Sequence, residues 1–394
     1  MIQNMIFKCM QNREKANLSE HCSKSKIQLS NALCKRFAVL LVIQLLYFSG
    51  QNVGAQSTQP FYKGKTLRVM VPYSPGGSTD LATRIVGRHL GKHIPGNPTV
   101  IVQHMPGAGG SKAMRYAYNV MQKQGYHMIV PLDNTVVNKL MRPKLMRYIP
   151  NKFNWMGSSN QTNVIIVIRS DSGVKKFEDM QRIPVIGGTS GKSSSGFITP
   201  MIIKGLFGAK IKMITGYKGS SRSILAIEQG ETQMAAFNWL AWDSKVPHWF
   251  KGKNPFARAI VQVGKYKDPD LPNVPMIDQF LKEKDKPVVE FLKSSGPIGR
   301  GLTLPPGVKK SVIAALRKAY DGMNGDPKFA KELKKRRLRL IASSGKTIQD
   351  IVEKAMIATS PAVIISFPDF TNLPETPKTS CIFFGLLFVK TKFD

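Results

Sequence analysis

The sequence predicts an α/β protein built from strand-helix units, with its functional site between two lobes, and three observations carry that expectation. Between Thr66 and Ser366, short apolar, β-rich runs alternate with amphipathic stretches. Two of these runs lead through paired glycines and a cluster of hydroxyl residues directly into a helix pattern. The chain has 394 residues, 42% of them hydrophobic and 21% charged, a globular composition at a length sufficient for two domains.

In chain order, Lys35-Arg36 comes first, ahead of an apolar run from Phe37 to Phe48, and Val53-Gly54-Ala55 stands before Gln56. A basic segment, a short apolar core and small residues at minus three and minus one form the layout of a secretory signal, so residues 1–55 are expected to direct export. A run of about a dozen apolar residues falls short of the roughly 20 needed to span a bilayer. The 36 residues ahead of Phe37 are long for the basic segment of a signal, which leaves a start downstream of Met1 open.

Strands are expected at 67–71, 99–103, 127–131, 164–168, 185–186, 213–215, 234–237 and 259–263, where β-branched and other apolar residues cluster. A helix is expected from Ser195, with Ile198, Met201, Ile202 and Leu206 on a single buried side and Gly208 as its C-terminal cap. The segment "FNWLAWDSKVPHWF" reads as core, with a pocket wall as the alternative. Residues 367–394 carry a short apolar run, Cys381 to Val389, and read as an appended tail of unknown role, of the kind a frameshift would produce.

The cysteines are Cys9, Cys22, Cys34 and Cys381, which excludes a disulfide, a thiolate metal site or a cysteine nucleophile between Gln56 and Ser380. The net charge of +34 admits nucleic acid, a membrane surface or an anionic small molecule as partner. Few of the 58 Lys and Arg lie in the two terminal segments, so the excess is spread along the body. The densest run, Lys334 to Arg339, lacks interleaved aromatics and reads as a solvated helix face; no nucleic-acid partner is expected.

The first glycine loop is "VPYSPGGSTD". A strand that ends in glycine and passes straight into a helix leaves the first helical N–H groups unpaired, and Gly76-Gly77 removes the Cβ atoms that would keep an anion away from them. Ser78 and Thr79 add hydroxyl donors. Asp80 competes with an anion for the same positive end, so its carboxylate either caps backbone groups or meets an ammonium on the ligand. The construction recurs in "VIGGTSGKSSSGF", with Gly187-Gly188 followed by Thr189, Ser190, Ser193, Ser194 and Ser195.

Catalytic signatures are incomplete. A phosphate-binding P-loop needs four residues between its first glycine and Gly-Lys-Ser, and Gly187 to Gly191 encloses three. In "MPGAGGSKA" the third glycine of a dinucleotide fingerprint is replaced by Lys112. His89 and His93 have zinc-ligand spacing, but Leu90 replaces the glutamate and Gly91 weakens the helix, so a solvent-facing pair is expected. Neither glycine loop contains Gly-x-Ser-x-Gly. No catalytic residue, metal or cofactor is assigned.

The stretch "YKGKTLRVMVPYSPGGSTDLATRIVGRHLGKHIPGNPTVIVQHMPGAGG" resembles the start of the mature substrate-binding receptors of tripartite tricarboxylate transporters, the Bug-type receptors. The resemblance continues in order through "GGTSGKSSS", "TGYKGSSRSILAIEQGE", "DPDLPNVPMIDQF" and "GPIGRGLTLPPGVKKSVIAALRKAY", reaching about Ser366. It implies a two-lobed, type II periplasmic-binding-protein-like clamp in which each lobe is a mixed sheet flanked by helices. Residues 61–165 and 286–366 would form lobe 1, and residues 166–285 lobe 2. It further implies a monomeric periplasmic receptor, not an enzyme, that captures a small organic acid anion for membrane permease subunits.

By that resemblance, Ser74, Gly76, Gly77, Ser78, Thr79 and Asp80 hold a ligand carboxylate. Thr189, Ser190, Ser193, Ser194 and Ser195 face it from the other lobe, Tyr217, Gly219 and Ser220 complete that side, and Asn134, Thr135 and Asn238 border the cleft. The chain departs from the family at Gln233, where many relatives are acidic, and at Trp239 and Trp242. Two other readings are an enzyme for a small carboxylate on the same scaffold, with Asp80 and Lys192 as the titratable groups of the glycine loops, and a ligand-sensing domain for a signalling partner.

Overall fold

A computed structural model describes residues 61–161 and 163–358. The signal layout at 1–55, the four cysteines and the tail at 367–394 lie outside the described residues. Among the described residues, eleven strands form two sheets, and all of them belong to one compact unit.

The first sheet contains β1 (Thr66–Val71), β2 (Thr99–His104), β3 (His127–Ile129), β4 (Asn154–Ser158), β10 (Gly301–Leu304) and β11 (Ser343–Ser344) in the order β11-β4-β10-β3-β1-β2. β1 runs parallel to β2 and β3, whereas β10 is antiparallel to β3 and β4. The second sheet contains β5 (Val164–Arg169), β6 (Val185–Thr189), β7 (Ile211–Thr215), β8 (Met234–Asn238) and β9 (Ala257–Val263) in the order β7-β6-β8-β5-β9. β6 is parallel to β7 and β8, and β5 is antiparallel to β8 and β9. The chain therefore leaves the first sheet after Ser158, builds the whole second sheet, and returns at Gly301. The two-lobed α/β architecture with mixed sheets is the expected one.

β5 is apolar on both faces, whereas β1 is fully apolar on the face of Leu67, Val69 and Val71 and carries half-buried Thr66 and Arg68 beside Met70 on the other. Ile165, Ile166 and Ile168 of β5 are fully buried, as are Leu67, Val69 and Val71 of β1. The helices that matter for the site start at the carboxyl ends of strands: α1 (Ser78–Leu90) after β1, α2 (Ser111–Asn119) after β2, α3 (Thr135–Met141) after β3, α4 (Ser195–Phe207) after β6, α5 (Ser220–Glu228) after β7 and α6 (Trp239–Asp243) after β8. Trp239, Trp242 and Trp249 are buried in the core that these last elements share with β5, as the core reading of that segment expects, while Phe237, Asn238 and Ala241 of the same segment line a cavity, as its pocket-wall alternative expects.

Four local expectations are corrected. β6 does not stop at Ile186 but continues through Gly187-Gly188 to Thr189, pairing Gly187 with Met213. A Cβ at Gly187 would lie 2.6 Å from Met213 Sδ, so this glycine permits close packing within the sheet, and the loop proper turns at Gly191, φ +153°. α4 buries more than one side: Gly196 to Ile203 are buried without interruption, because this helix is packed between the sheet and the other lobe. His89 and His93 are not a solvent-facing pair. His89 is buried with Nε2 2.6 Å from Glu332 Oε2, and His93 meets Asp326, so both fasten α1 to the helix at Pro327–Lys335. In the basic run, Lys334 to Arg337 are exposed, while Leu338 is buried and Arg339 turns inward to bind both carboxylate oxygens of Asp268.

Phe329, on the helix that pairs with α1, is fully buried and lies 5.3 Å from the His89 ring. Phe329→Ala is expected to cost about 3–5 kcal/mol, read from urea unfolding. A loss below about 1 kcal/mol would contradict this docking of the C-terminal helix on α1.

Candidate functional site

Strand ends and helix starts from both sheets enclose one cavity of about 620 Å³, a volume that includes its open mouth. Tyr73, Gly77, Ser78 and Thr79 line it from the end of β1, and Asp133, Gly299 and Arg300 from the neighbouring segments of the first sheet. Ser194, Ser195, Gly219, Ser220, Phe237 and Asn238 line it from the second. Binding beyond the carboxyl ends of strands is the general rule for open α/β sheets.

Three helices of at least nine residues, α1, α4 and α5, begin at this cavity, and none has a side-chain cap. Of their first N–H groups, Ser78 N–H donates to Ser220 Oγ at 3.3 Å, Phe197 N–H to Ser194 O at 3.0 Å and Arg222 N–H to Gly219 O at 3.2 Å, which leaves the earliest N–H groups of α4 and α5 and that of Thr79 without a helical partner. The helix dipoles add positive potential at the same place. Local sequence explains why the starts are open. Gly76, φ +85°, Gly191 and Gly219, φ +137°, adopt backbone conformations that L-side chains resist, and each turns its strand into its helix within a few residues.

Arg300 adds a full positive charge. Its Nη1 donates to Thr79 Oγ1 at 2.6 Å and its Nη2 to Ser78 Oγ at 3.0 Å, while its buried Nε has no hydrogen-bond partner. Burial pushes the guanidinium pKa down, and Asp133 and Tyr73 oppose that shift. Burial also pushes the Tyr73 phenol far up, so it remains a neutral donor. The Asp133 carboxyl is raised by burial, against the opposing effects of the Ser195 hydroxyl, the Asn134 N–H and Arg300. Among the described residues no cluster of His, Cys, Asp or Glu could hold a metal.

Of the residues expected at the site, Gly77, Ser78, Thr79, Ser190, Ser194, Ser195, Gly219, Ser220 and Asn238 line the cavity. Asn134 lines a smaller adjoining cavity, which shares Asp133, Ser195 and Asn238 with the first. Ser74, Gly76, Asp80, Thr135, Thr189, Ser193 and Tyr217 line neither and hold the walls instead. Asp80 caps: it accepts from Gly76 N–H at 2.8 Å, Arg84 Nε at 2.9 Å and His104 at 2.8 Å. Thr189 Oγ1 pairs with Ser194 Oγ at 2.7 Å, Thr135 Oγ1 donates to Leu132 O at 2.5 Å, and the Tyr217 hydroxyl donates to Glu231 at 3.0 Å. Lys192 is in neither lining, and Gln233 accepts from Ile186 N–H at 2.9 Å within the second sheet.

Ser74, Gly76 and Ser193 join the two sides. Ser74 N–H donates to Lys218 O at 3.2 Å, and Gly76 O accepts from Ser221 Oγ at 2.8 Å and Lys245 Nζ at 2.6 Å. Across the cleft, Ser193 O accepts from Asn134 Nδ2 at 3.0 Å and Asn138 Nδ2 at 2.7 Å, and Lys192 O accepts from Arg142 at 2.7 Å. At Gly109 an added Cβ would sit 2.8 Å from Ser194 N, so the two loops meet backbone to backbone.

Sequence reading missed Tyr73, Asp133 and Arg300, and held Phe237 only within the pocket-wall alternative for its segment. For Arg300 a signal existed: a lone arginine between Gly299 and Gly301 in "GPIGRGLT". A Cβ at Gly301 would lie 2.3 Å from Gly157 O, so the glycine seats this segment tightly against β4.

Two α/β lobes whose helix starts surround one open-mouthed cavity define the class of solute-binding clamps. A family model described as the tripartite tricarboxylate transporter family receptor matches residues 83–365, and the chain belongs to that family. It is 26% identical over 296 residues to a Cupriavidus necator UPF0065 protein from the gbd 5′ region, covering 71% of this chain and 81% of that protein. The fold matches the periplasmic binding protein BugD with TM-score 0.62 at 16% identity, covering 78% of this chain and 97% of BugD. It also matches MatC from Rhodopseudomonas palustris, solved with bound malate, with TM-score 0.60 at 16% identity, covering 77% and 99% of the two chains. The family is one of solute-binding receptors and not of enzymes.

Burial would raise the Asp80 pKa, but its bonds to Gly76, Arg84 and His104 outweigh burial and hold it below the ordinary carboxylate value. Its stabilising effect is therefore complete above the unfolded pKa of ~3.9 and is lost as pH falls through the lower folded value. Asp80→Asn is expected to cost about 1.5–3 kcal/mol at pH 7, with the gap to wild type closing in urea unfolding carried out at progressively lower pH. A gap that stays constant with pH would contradict this role.

Proposed function

We propose that this protein is an exported receptor that captures a small organic acid anion between its lobes and delivers it to the membrane permease subunits of a tripartite tricarboxylate-type transporter. The observation that carries the reading is the meeting of three uncapped helix N-termini with Arg300 in one cavity. A carboxylate matches that donor set in charge and in geometry. Each helix terminus contributes about 0.3–1 kcal/mol to an anion and each charge-assisted hydrogen bond about 1.5–3 kcal/mol. A handful of such contacts reaches the ~8 kcal/mol of micromolar binding without any chemical step.

The described residues of 61–165 and 286–366 form one lobe in this reading and residues 166–285 the other, with Val164 and Ile165 already pairing in the second sheet, and the receptor works as a monomer without a cofactor. The signal layout ahead of Gln56 supports export to the periplasm. The family description supports the transporter partnership, and the malate held by MatC supports a small carboxylate as ligand. Donors on both lobes give the ligand greater affinity for the closed state than for the open one, which is the requirement for ligand-driven closure.

Thermal-shift and calorimetric screening of the full chain against mono-, di- and tricarboxylates tests the reading. A small carboxylate should raise the melting midpoint and be recovered unaltered, and Arg300→Met should weaken it about 10–100-fold. No midpoint shift with any acid, or recovery of an altered compound, would overturn it.

A further inference from the structure

We infer that Asp133 is a specificity-determining residue that selects ligands carrying a hydrogen-bond donor beside the carboxylate, as 2-hydroxy and 2-amino acids do, over the same acids without it. The inference rests on the carboxylate-receptor reading above and adds the second polar group of the ligand.

The titratable groups lining the main cavity are Arg300, Asp133 and Tyr73. In its ionised form Asp133 repels the anion that Arg300 and the helix termini attract, so a site for a bare carboxylate has no use for that charge. Yet Asp133 stands at the junction of the two cavities and lines both. One carboxylate oxygen accepts from Asn134 N–H at 2.9 Å, and the side chain also accepts from the Ser195 hydroxyl. An ionised carboxylate offers about four acceptor sites, so these two donors leave acceptor capacity directed at the cavity space.

No hydrogen bond joins the two nearby cations to it. Arg300 is held by the Ser78 and Thr79 hydroxyls. Lys293 lines the adjoining cavity, but its ammonium is paired with Asp278 and, at 2.7 Å, with Glu290. A ligand that places its carboxylate toward Arg300 and the helix starts and turns a hydroxyl or ammonium toward Asp133 satisfies both ends. The same acid without that group leaves Asp133 desolvated and facing an anion. A site built to accept a hydrogen bond from its substrate discriminates strongly against the analogue that lacks the donor.

The test is calorimetric titration of the full chain at pH 7 with matched acids: malate and aspartate against succinate, and lactate and alanine against propionate. In wild type, the donor-bearing member of each pair that binds should be at least about tenfold tighter than the plain acid. Asp133→Ala should bring that ratio to within about threefold, and Asp133→Asn, which keeps the volume and loses the charge, should reduce the preference for amino acids more than for hydroxy acids. Plain acids binding as tightly as their donor-bearing partners in wild type would overturn the inference, with or without a folded variant. So would an undiminished ratio in Asp133→Ala. Failure of every acid to bind would overturn the receptor reading itself and this inference with it.

Discussion

The constraint on which the structure turns is that a helix begun at the end of a strand cannot pair its own first N–H groups. In this chain that deficit arises at α1, α4 and α5, and all three openings face one cavity. Several otherwise unrelated features serve it. Gly76, Gly191 and Gly219 take the positive φ angles that bring each strand end abruptly into its helix. Asp80 lies in the first turn of α1, where it could cancel the positive end, but its carboxylate is turned to Gly76, Arg84 and His104 and stays out of the cavity. Arg300, from a distant part of the sequence, then binds the two hydroxyls of α1 and concentrates charge at the same place.

Because the open helix ends belong to both sheets, the site is complete only when the lobes approach. The contacts between them are of two kinds: backbone carbonyls met by side-chain donors, as Ser193 O by Asn134 and Asn138, Lys192 O by Arg142, and Gly76 O by Ser221 and Lys245, and ion pairs, as Arg339 with Asp268 and Lys293 with Asp278. The neutral hydrogen bonds among them net about 0.5–1.5 kcal/mol each, and those from Arg142 and Lys245 about 1.5–3 kcal/mol. In the proposed reading, an anion bridging the two sets of N–H groups adds to these contacts and favours the closed form.

The first glycine loop was legible because glycine, hydroxyl and helix pattern are contiguous there, and α1 begins at Ser78 as that pattern implies. The second misled in detail: Gly187-Gly188 looks like the first loop in sequence, yet Met213 packs where a Gly187 side chain would be and Tyr217 where a Gly188 side chain would be, and the turn comes later at Gly191. β4, β10 and β11 were invisible because four residues such as "GLTL", two such as "SS", or a strand interrupted by glycine such as "NWMGS" show no usable periodicity. Arg300 and Asp133 escaped for a different reason. Their meaning depends on Ser78, Thr79 and Ser195, far away in the chain, and only the fold brings them together. His89 and His93 looked exposed because their acidic partners, Glu332 and Asp326, are equally remote.

The most direct test of the central claim is a crystal structure of the protein with a bound carboxylate. The account predicts one carboxylate group within hydrogen-bond distance of Arg300 or the α1 N-terminus and, in the same complex, ligand contacts to N–H or hydroxyl donors at the starts of α4 or α5. A ligand held by donors of one lobe only, or seated outside this cavity, would contradict it.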